Sequence, residues 1–479
     1  MVGGNGMFAS YQELEAYVRN EGVEMLDFKV TEISGKWRHL SIPASRLSPK
    51  LFEKGFGFDG SNYGYAVIES SDMVFIPDVT TAFVDPFWER PTLSFLGGVY
   101  EIRPEGFRLF SGDSRSILRN ALEVMRRETA ADQFVIGPEF EFYIFDSVRH
   151  WNRMHEAGFA VDAEQAEWRT DDEEGSGFQV PRKKGYHVDA PGDLRRDLRA
   201  EMAARVDGLG VKVKYHHHEV GGPGQHEIEV ELGEAAHLAD ATMLVKYVIK
   251  NTAFEHGSTA TFMPKPLFGE AGSGMHVHMQ LFREGKSLFA GPDTNYAGLS
   301  DLALAFMGGI LAHTPALMAL GGPSTNSYRR LVRGYEAPIA IAFATGNRSA
   351  VIRVPGYAKD PESRRFEFRS GDATCNPYLF YAALLLAGLD GVRRSLDPVQ
   401  EGFGPLEKNI YEVAGHELKL LPASLDEALD ALLADGDFLT ADGVFSRTFL
   451  EHWVTLKRRE AKAVAERPTP QEFDLYYDC

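Results

Sequence analysis

The most regular stretches of this chain alternate apolar and polar residues with a period of two, the pattern of strands with one face turned to a core. After a first short helix, Tyr11 to Asn20, the segments MLDFKVTEI, KWRHLSIPA and DMVFIPD read as strands parted by Gly, Ser and Pro turns, a small mixed domain. Near Asp113 the period changes. SRSILRNALEVMRRETA repeats its apolar positions at helical spacing behind a Ser/Asp cap signal, which sets the expected domains at 1–112 and 113–479. Beyond it the predicted strands are QFVIGPEFEFYIFD, VKVKYHHHEV, QHEIEVELG, GMHVHMQLF, SAVIRVP and RRFEFRS. The predicted helices are LRRDLRAEMAARVDGLG, LADATMLVKYVIKNTAFEHG, DLALAFMGGILAHTPALMAL, LDEALDALLADG and TFLEHWVTLKRREAKAVAER, the last two forming a C-terminal helical extension. The fold class is therefore α+β: a curved antiparallel sheet flanked by helices, its concave side charged rather than oily. The polar segment from His150 to Lys184 is expected to be an exposed, irregular excursion.

Composition narrows the function. With 44% hydrophobic and 25% charged residues over 479 positions, the chain is a folded multidomain protein with room for a cleft. Its formal charge of −19, with no basic stripe, repels a nucleic-acid backbone, so nucleic acid is excluded as a partner. Cys375 and Cys479 make neither a disulfide framework nor a cysteine metal site. The start MVGGNGMFAS lacks the basic and apolar parts of a signal peptide, and the best apolar runs, Leu302 to Leu320 and Phe380 to Leu389, are broken by glycines or too short to span a bilayer. A cytoplasmic protein without a membrane segment is the expectation.

The chemistry is concentrated on the strands. In GPEFEFYIFD a strand puts Glu139 and Glu141 on one face and Phe140 and Phe142 on the other. Carboxylates side by side among apolar neighbours repel each other and lose hydration, and a bound cation removes both penalties. The arrangement returns in KYHHHEVGGPGQHEIEV, with His216, His217, His218 and Glu219 before a glycine turn and Glu227, Glu229 and Glu231 after it. It returns again as His276 and His278 in GSGMHVHMQ and as Arg365, Glu367 and Arg369 in RRFEFRS. Imidazole and carboxylate donors without cysteine suit Mg²⁺ or Mn²⁺ better than structural zinc.

Arginines cluster in SYRRLVRGYEAPIA and GNRSAVIRVP: Arg329, Arg330, Arg333, Arg348 and Arg353. In so acidic a chain they ask for an anion, and beside metal-binding acids they fit phosphoryl transfer. No P-loop, kinase set or strand-borne GxGxxG is present, so a nucleotide is held in another way. Two loops add acids, Asp59 in GFDGSNYGY and Glu336 in RGYEAP.

Taken in order, FDGSN with ESSD, GPEFEF, HHHEV with GQHEIE, TATFMPKP before GSGMHVH, TNSYRRLVRGYEAP, NRSAVIR, RRFEFR with CNPY, and KNIY make the chain resemble bacterial-type (class I) glutamine synthetase over nearly its whole length. The resemblance implies an N-terminal β-grasp domain, a funnel-shaped catalytic sheet, and a homo-oligomer, a dodecamer of two hexameric rings with active sites between subunits. It implies ATP-dependent ligation of ammonium to L-glutamate through γ-glutamyl phosphate, with two or three Mg²⁺ or Mn²⁺. Glu141, Glu219 and Glu227 are implied to hold one ion, and Glu139, His276 and Glu367 another. Gly272, Arg330 and Arg369 are implied to bind glutamate, Arg348 and Arg353 the phosphates, with His278 and Arg365 on the nucleotide side. Asp59 of an adjacent subunit would attract ammonium and take its proton, and Glu336 would close the site. Tyr411 matches the tyrosine modified in some class I enzymes, implying an adenylylating enzyme as partner. Departures from the family pattern include Asn62, Ala271, Gln280, Arg333, Glu362 and Gly371. The alternative is a γ-glutamyl-amine ligase using methylamine or a polyamine, with the same metals and acyl phosphate.

Overall fold

The computed structural model describes residues 6–65, 71–170, 176–332, 337–408 and 418–479, so Glu336, Arg333 and Tyr411 lie outside the described residues. The helix Tyr11–Asn20 starts where the Ser10 side chain accepts from the Glu13 amide, satisfying one of the free donors of its first turn. The strand Met25–Thr31 pairs antiparallel with Trp37–Pro43 and parallel with Thr92–Phe95. A second four-stranded sheet joins Phe56–Asp59, Asp72–Pro77, Gly97–Arg103 and Gly106–Leu109. The helix Ser114–Glu128 follows, capped by the Asp113 carboxylate.

The site is built on a ten-stranded sheet whose main path runs Val213–His218, Gln225–Val230, Gln133–Phe145, Val277–Arg283, Phe366–Phe368, Ala350–Val354, Ala340–Thr345. Phe134, Phe140, Phe142, Phe366 and Phe368 are fully buried on its helix-facing side, which is why the acids between them face the other way. The sheet departs from the expected all-antiparallel form at one place: Ala340–Thr345 and Ala350–Val354 run parallel. The first of these strands spends other backbone groups outside the sheet, donating from Ile341 to the Lys419 carbonyl and from Phe343 to that of Phe403.

Three further expectations change. The segment read as an irregular excursion contains the end of a hairpin, Ser147–Asn152 against Ala157–Asp162, largely exposed, followed by the buried Ala163, Gln165 and Ala166. The helix predicted over DLALAFMGGILAHTPALMAL forms as Asp301–Gly321, but against expectation its glycines leave it long and apolar enough by length and composition to cross a membrane; 72% of that window is buried inside the protein. Its glycines do not break it because they serve packing: a Cβ on Gly309 would stand 2.1 Å from the Ala387 carbonyl oxygen, and one on Gly391 2.1 Å from that of Ala305. The partner helix, Pro377–Arg393, went unpredicted because it is apolar on nearly every side and carries no amphipathic period.

The C-terminal helices dock through His313, whose Nδ1 lies 2.7 Å from Asp435 and Nε2 2.8 Å from Asp390, with Phe438 stacked on its ring. Burial lowers the imidazole pKa, but the two carboxylates outweigh it and the net shift is upward. A group raised on folding stabilises fully below its unfolded pKa, about 6.5, and loses that contribution as pH rises through the folded value. The melting-temperature gap between the natural chain and His313→Asn should therefore be widest in mild acid and narrow above neutrality. A gap that stays flat with pH would assign His313 a packing role alone.

Candidate active site

A cleft of about 440 Å³ opens on the charged side of the sheet, lined by carboxylates at one end and arginines at the other. Strand register makes the acidic end: Glu227 stands opposite Glu141 and Glu229 opposite Glu139, while His217 stands opposite Glu227 on the next strand. Side chains on one face of paired strands fall about 5 Å apart, so pairing alone gathers acids distant in sequence. His276 Nδ1 is 2.7 Å from Glu139 Oε2, and His278 Nε2 is 2.9 Å from both Glu139 Oε1 and Glu367 Oε2. His276 Nε2 lies 3.7 Å from Glu141, whose other oxygen accepts from the Gly274 amide at 2.6 Å.

Among the described residues two groups have donor atoms close enough to share an ion: His217, Glu219 and Glu227, and Glu139, Glu229 and His278. Their electrostatics differ. Burial, with Glu141 and Glu227 beside it, pushes the Glu219 carboxyl up to about 8. Burial and the surrounding carboxylates of Glu139, Glu141, Glu229 and Glu367 raise Glu227 well above the usual range. Burial and Glu367 also push Glu139 up, but His276 and His278 prevail and hold it far below the carboxylate norm. Glu367 is likewise held low against its burial by His278 and Arg369; Arg369 and Arg353 donate to its Oε1 at 2.7 and 3.1 Å. Burial opposes protonation of His278, but Glu367 and Glu139 bring it up to about 9. The acids are thus short of positive charge around Glu219 and Glu227, and the buried Glu229 Oε2 has no hydrogen-bond partner although Lys214 donates to Oε1 at 2.7 Å. Oxygen-rich donors of this kind fit divalent Mg²⁺ or Mn²⁺.

The cationic end is held by backbone. Arg330 is buried, its guanidinium donating to the carbonyls of Arg369, Ser370 and Gly371 at 3.1 to 3.3 Å and lying 3.4 Å from His276 Nε2. It packs against the Gly272 to Gly274 turn so closely that a Cβ on Gly274 would sit 2.3 Å from Arg330 Nη2. Gly272, Arg330, Arg348, Arg353 and Arg369 all line the cleft. His278 is fully buried beneath it, and Arg365 Nε approaches His278 Nδ1 at 3.3 Å. Asp59 stands elsewhere, exposed at a turn where Ser61 and Asn62 donate to it; within one chain it does not line the cleft.

Sequence reasoning placed His217 and Glu229 on the acid- and histidine-bearing strands but gave neither a ligand role. The period-two spacing of Glu227 and Glu229 was a usable signal. Nothing local separates His217 from its neighbours, of which His216 accepts from Arg199 and His218 lies against Gln165.

Residues 22–102 match the family described as glutamine synthetase, beta-Grasp domain, and residues 111–476 that described as glutamine synthetase, catalytic domain. A glutamine synthetase of Nostoc sp. is 42% identical over 477 residues, covering 98% of this chain and 99% of that protein. A 3-hydroxylaminophenol mutase of Cupriavidus pinatubonensis is also 42% identical, over 479 residues, 98% of this chain and 100% of that protein. Among solved structures, the Plasmodium falciparum glutamine synthetase superposes with a TM-score of 0.88 at 27% identity, covering 100% of both chains. With both domain families matched in order along one chain, this protein is an enzyme of the glutamine synthetase family, an N-terminal β-grasp domain followed by a mixed α/β catalytic domain.

Proposed function

We propose that this enzyme joins ammonia to L-glutamate at the expense of ATP, giving L-glutamine, ADP and phosphate. The observation that carries the reading is the juxtaposition, in one cleft, of acids short of positive charge and a wall of arginines. An anionic substrate and the phosphates of a nucleotide suit the arginines, and the acids suit divalent ions. Bound there, Mg²⁺ or Mn²⁺ supplies positive charge against the phosphoryl oxygens and the substrate carboxylate.

In the first step an oxygen of the glutamate γ-carboxylate attacks the terminal phosphorus of ATP, and ADP leaves. Arg348 and Arg353 hold the phosphates, and Arg369 and the Gly272 backbone orient glutamate. In the second step ammonia attacks the γ-carbon of γ-glutamyl phosphate and phosphate leaves. Ammonium first gives a proton to a carboxylate, which the reading assigns to Asp59 of an adjacent subunit, consistent with its exposure away from its own cleft. Glu139, Glu141, Glu219, Glu227, His276 and Glu367 are the proposed metal ligands, and the reading adds His217, Glu229 and His278, whose donor atoms lie close enough to these acids to share an ion. The class I assignment, the dodecamer, the domain division at residue 112, a cytoplasmic location and modification of Tyr411 belong to the same reading.

The test is glutamate-dependent phosphate release from ATP with Mg²⁺, comparing ammonium with a panel of small amines and identifying the product by mass. Glutamine from ammonium, with amines poor, is expected. Faster turnover with methylamine or a polyamine overturns the choice of acceptor. Rearrangement of a hydroxylaminophenol without any glutamate-dependent phosphate release overturns the ligase reading itself.

A further inference from the structure

Among the described residues three tyrosines line the cleft, and two have company: the Tyr186 ring stacks on His187 with centroids 4.0 Å apart, and Tyr215 lies 6.0 Å from His217. Tyr357 does not. Among the described residues no aromatic ring packs on it, and the residue is 62% exposed at the mouth of the arginine end. It sits in a tight turn closed by the Ala358 amide donating to Pro355 and the Lys359 amide donating to Tyr357 itself, so its placement is set by backbone. The guanidiniums of Arg353 and Arg365 lie 5.9 and 5.7 Å from the ring centroid. Both stand over the ring within cation–π range, and with 62% of the residue exposed the tyrosine still offers surface for a flat group to lie on. Both arginines are anchored from below, Arg353 on Glu367 and Arg365 on the Ser363 carbonyl and His278.

An open aromatic face within reach of phosphate-binding arginines matches one ligand shape: a polyphosphate carrying a flat heterocycle. Nearby, Glu362 accepts from the Ser287 amide at 2.9 Å, so that carboxylate oxygen is committed to backbone rather than to a base. We infer that Tyr357 is a stacking platform for the nucleobase of the bound nucleotide, binding the base by its face rather than by hydrogen bonds to its edge. The inference rests on the ATP reading above. Stacking tolerates any base, so recognition through Tyr357 favours a purine by area and discriminates weakly between purines.

The experiment is calorimetric titration of the Mg²⁺-loaded enzyme with ADP and, separately, with inorganic tripolyphosphate, for the natural chain, Tyr357→Ala and Tyr357→Phe. Tyr357→Ala should weaken ADP about tenfold or more, the range of one base–aromatic stack. It should leave tripolyphosphate unchanged, and Tyr357→Phe should bind ADP like the natural chain. Equal ADP affinity in Tyr357→Ala overturns the platform. So does an equal loss for tripolyphosphate, which would make Tyr357 a support for Arg353 and Arg365. Failure of the natural chain to bind ADP removes the ATP reading and this inference together, and is thereby distinct from failure of the platform alone.

Discussion

Glu227→Gln should leave the metal-free protein at least as stable as the natural chain while lowering turnover by about a hundredfold or more. Burial raises this carboxyl, and four other carboxylates, Glu139, Glu141, Glu229 and Glu367, raise it further, so in the metal-free state its negative charge is a liability. An amide of the same shape removes that repulsion. The same substitution takes a charged oxygen from the group formed with His217 and Glu219, so binding of a divalent ion suffers. Two melting curves separate these effects. The metal-free melting temperature should hold or rise, and the increase that Mn²⁺ gives the natural chain should shrink or vanish. A lower metal-free melting temperature with an undiminished Mn²⁺ increase would make Glu227 a structural acid rather than a ligand.

The second large effect is expected at Arg330. Its buried guanidinium donates to three successive carbonyls, those of Arg369, Ser370 and Gly371, and packs against the turn carrying Gly272. Arg330→Ala leaves those carbonyls unpaired and opens a cavity between two segments of the cleft wall. A buried acceptor left without its donor costs about 1–3 kcal/mol, so losing these contacts together should cost about 3 kcal/mol or more. Lysine reaches with a single nitrogen and does not reproduce the planar fork, so Arg330→Lys should recover little of the loss. Urea unfolding at matched protein concentration measures both variants. A loss below about 1 kcal/mol for Arg330→Ala would show the carbonyls finding other partners. Arg330 thus positions Arg369 and the glycine turn as well as facing the cleft, a double duty that the resemblance, which treats it as a glutamate ligand, does not express.

Much of the site was legible because its signal is local. The alternation in GPEFEF dictates that Glu139 and Glu141 share a face, and the phenylalanines between them are indeed fully buried. A Ser/Asp cap signal marked the helix at Ser114 for the same reason, since a cap acts within one turn. The helix Pro377–Arg393 escaped because a segment buried on all sides has no polar face to reveal its period. The parallel pairing of Ala340–Thr345 with Ala350–Val354 escaped because the first strand, buried over nearly its whole length and so without polar alternation, was not among the predicted strands.

The sequence by itself determined, through strand alternation, which acids and histidines leave the core for the cleft. Tertiary structure alone decided their company. Only the register of strands far apart in the chain puts Glu229 across from Glu139, turns His217 rather than His216 or His218 toward Glu227, and seats His278 between Glu139 and Glu367. A one-residue slip would send each of these side chains to the opposite face while leaving the local pattern unchanged. Charge follows the same logic. Glu139 and Glu219 are the same residue type, yet one is held far below the carboxylate norm and the other pushed up to about 8, because histidines surround the first and carboxylates the second.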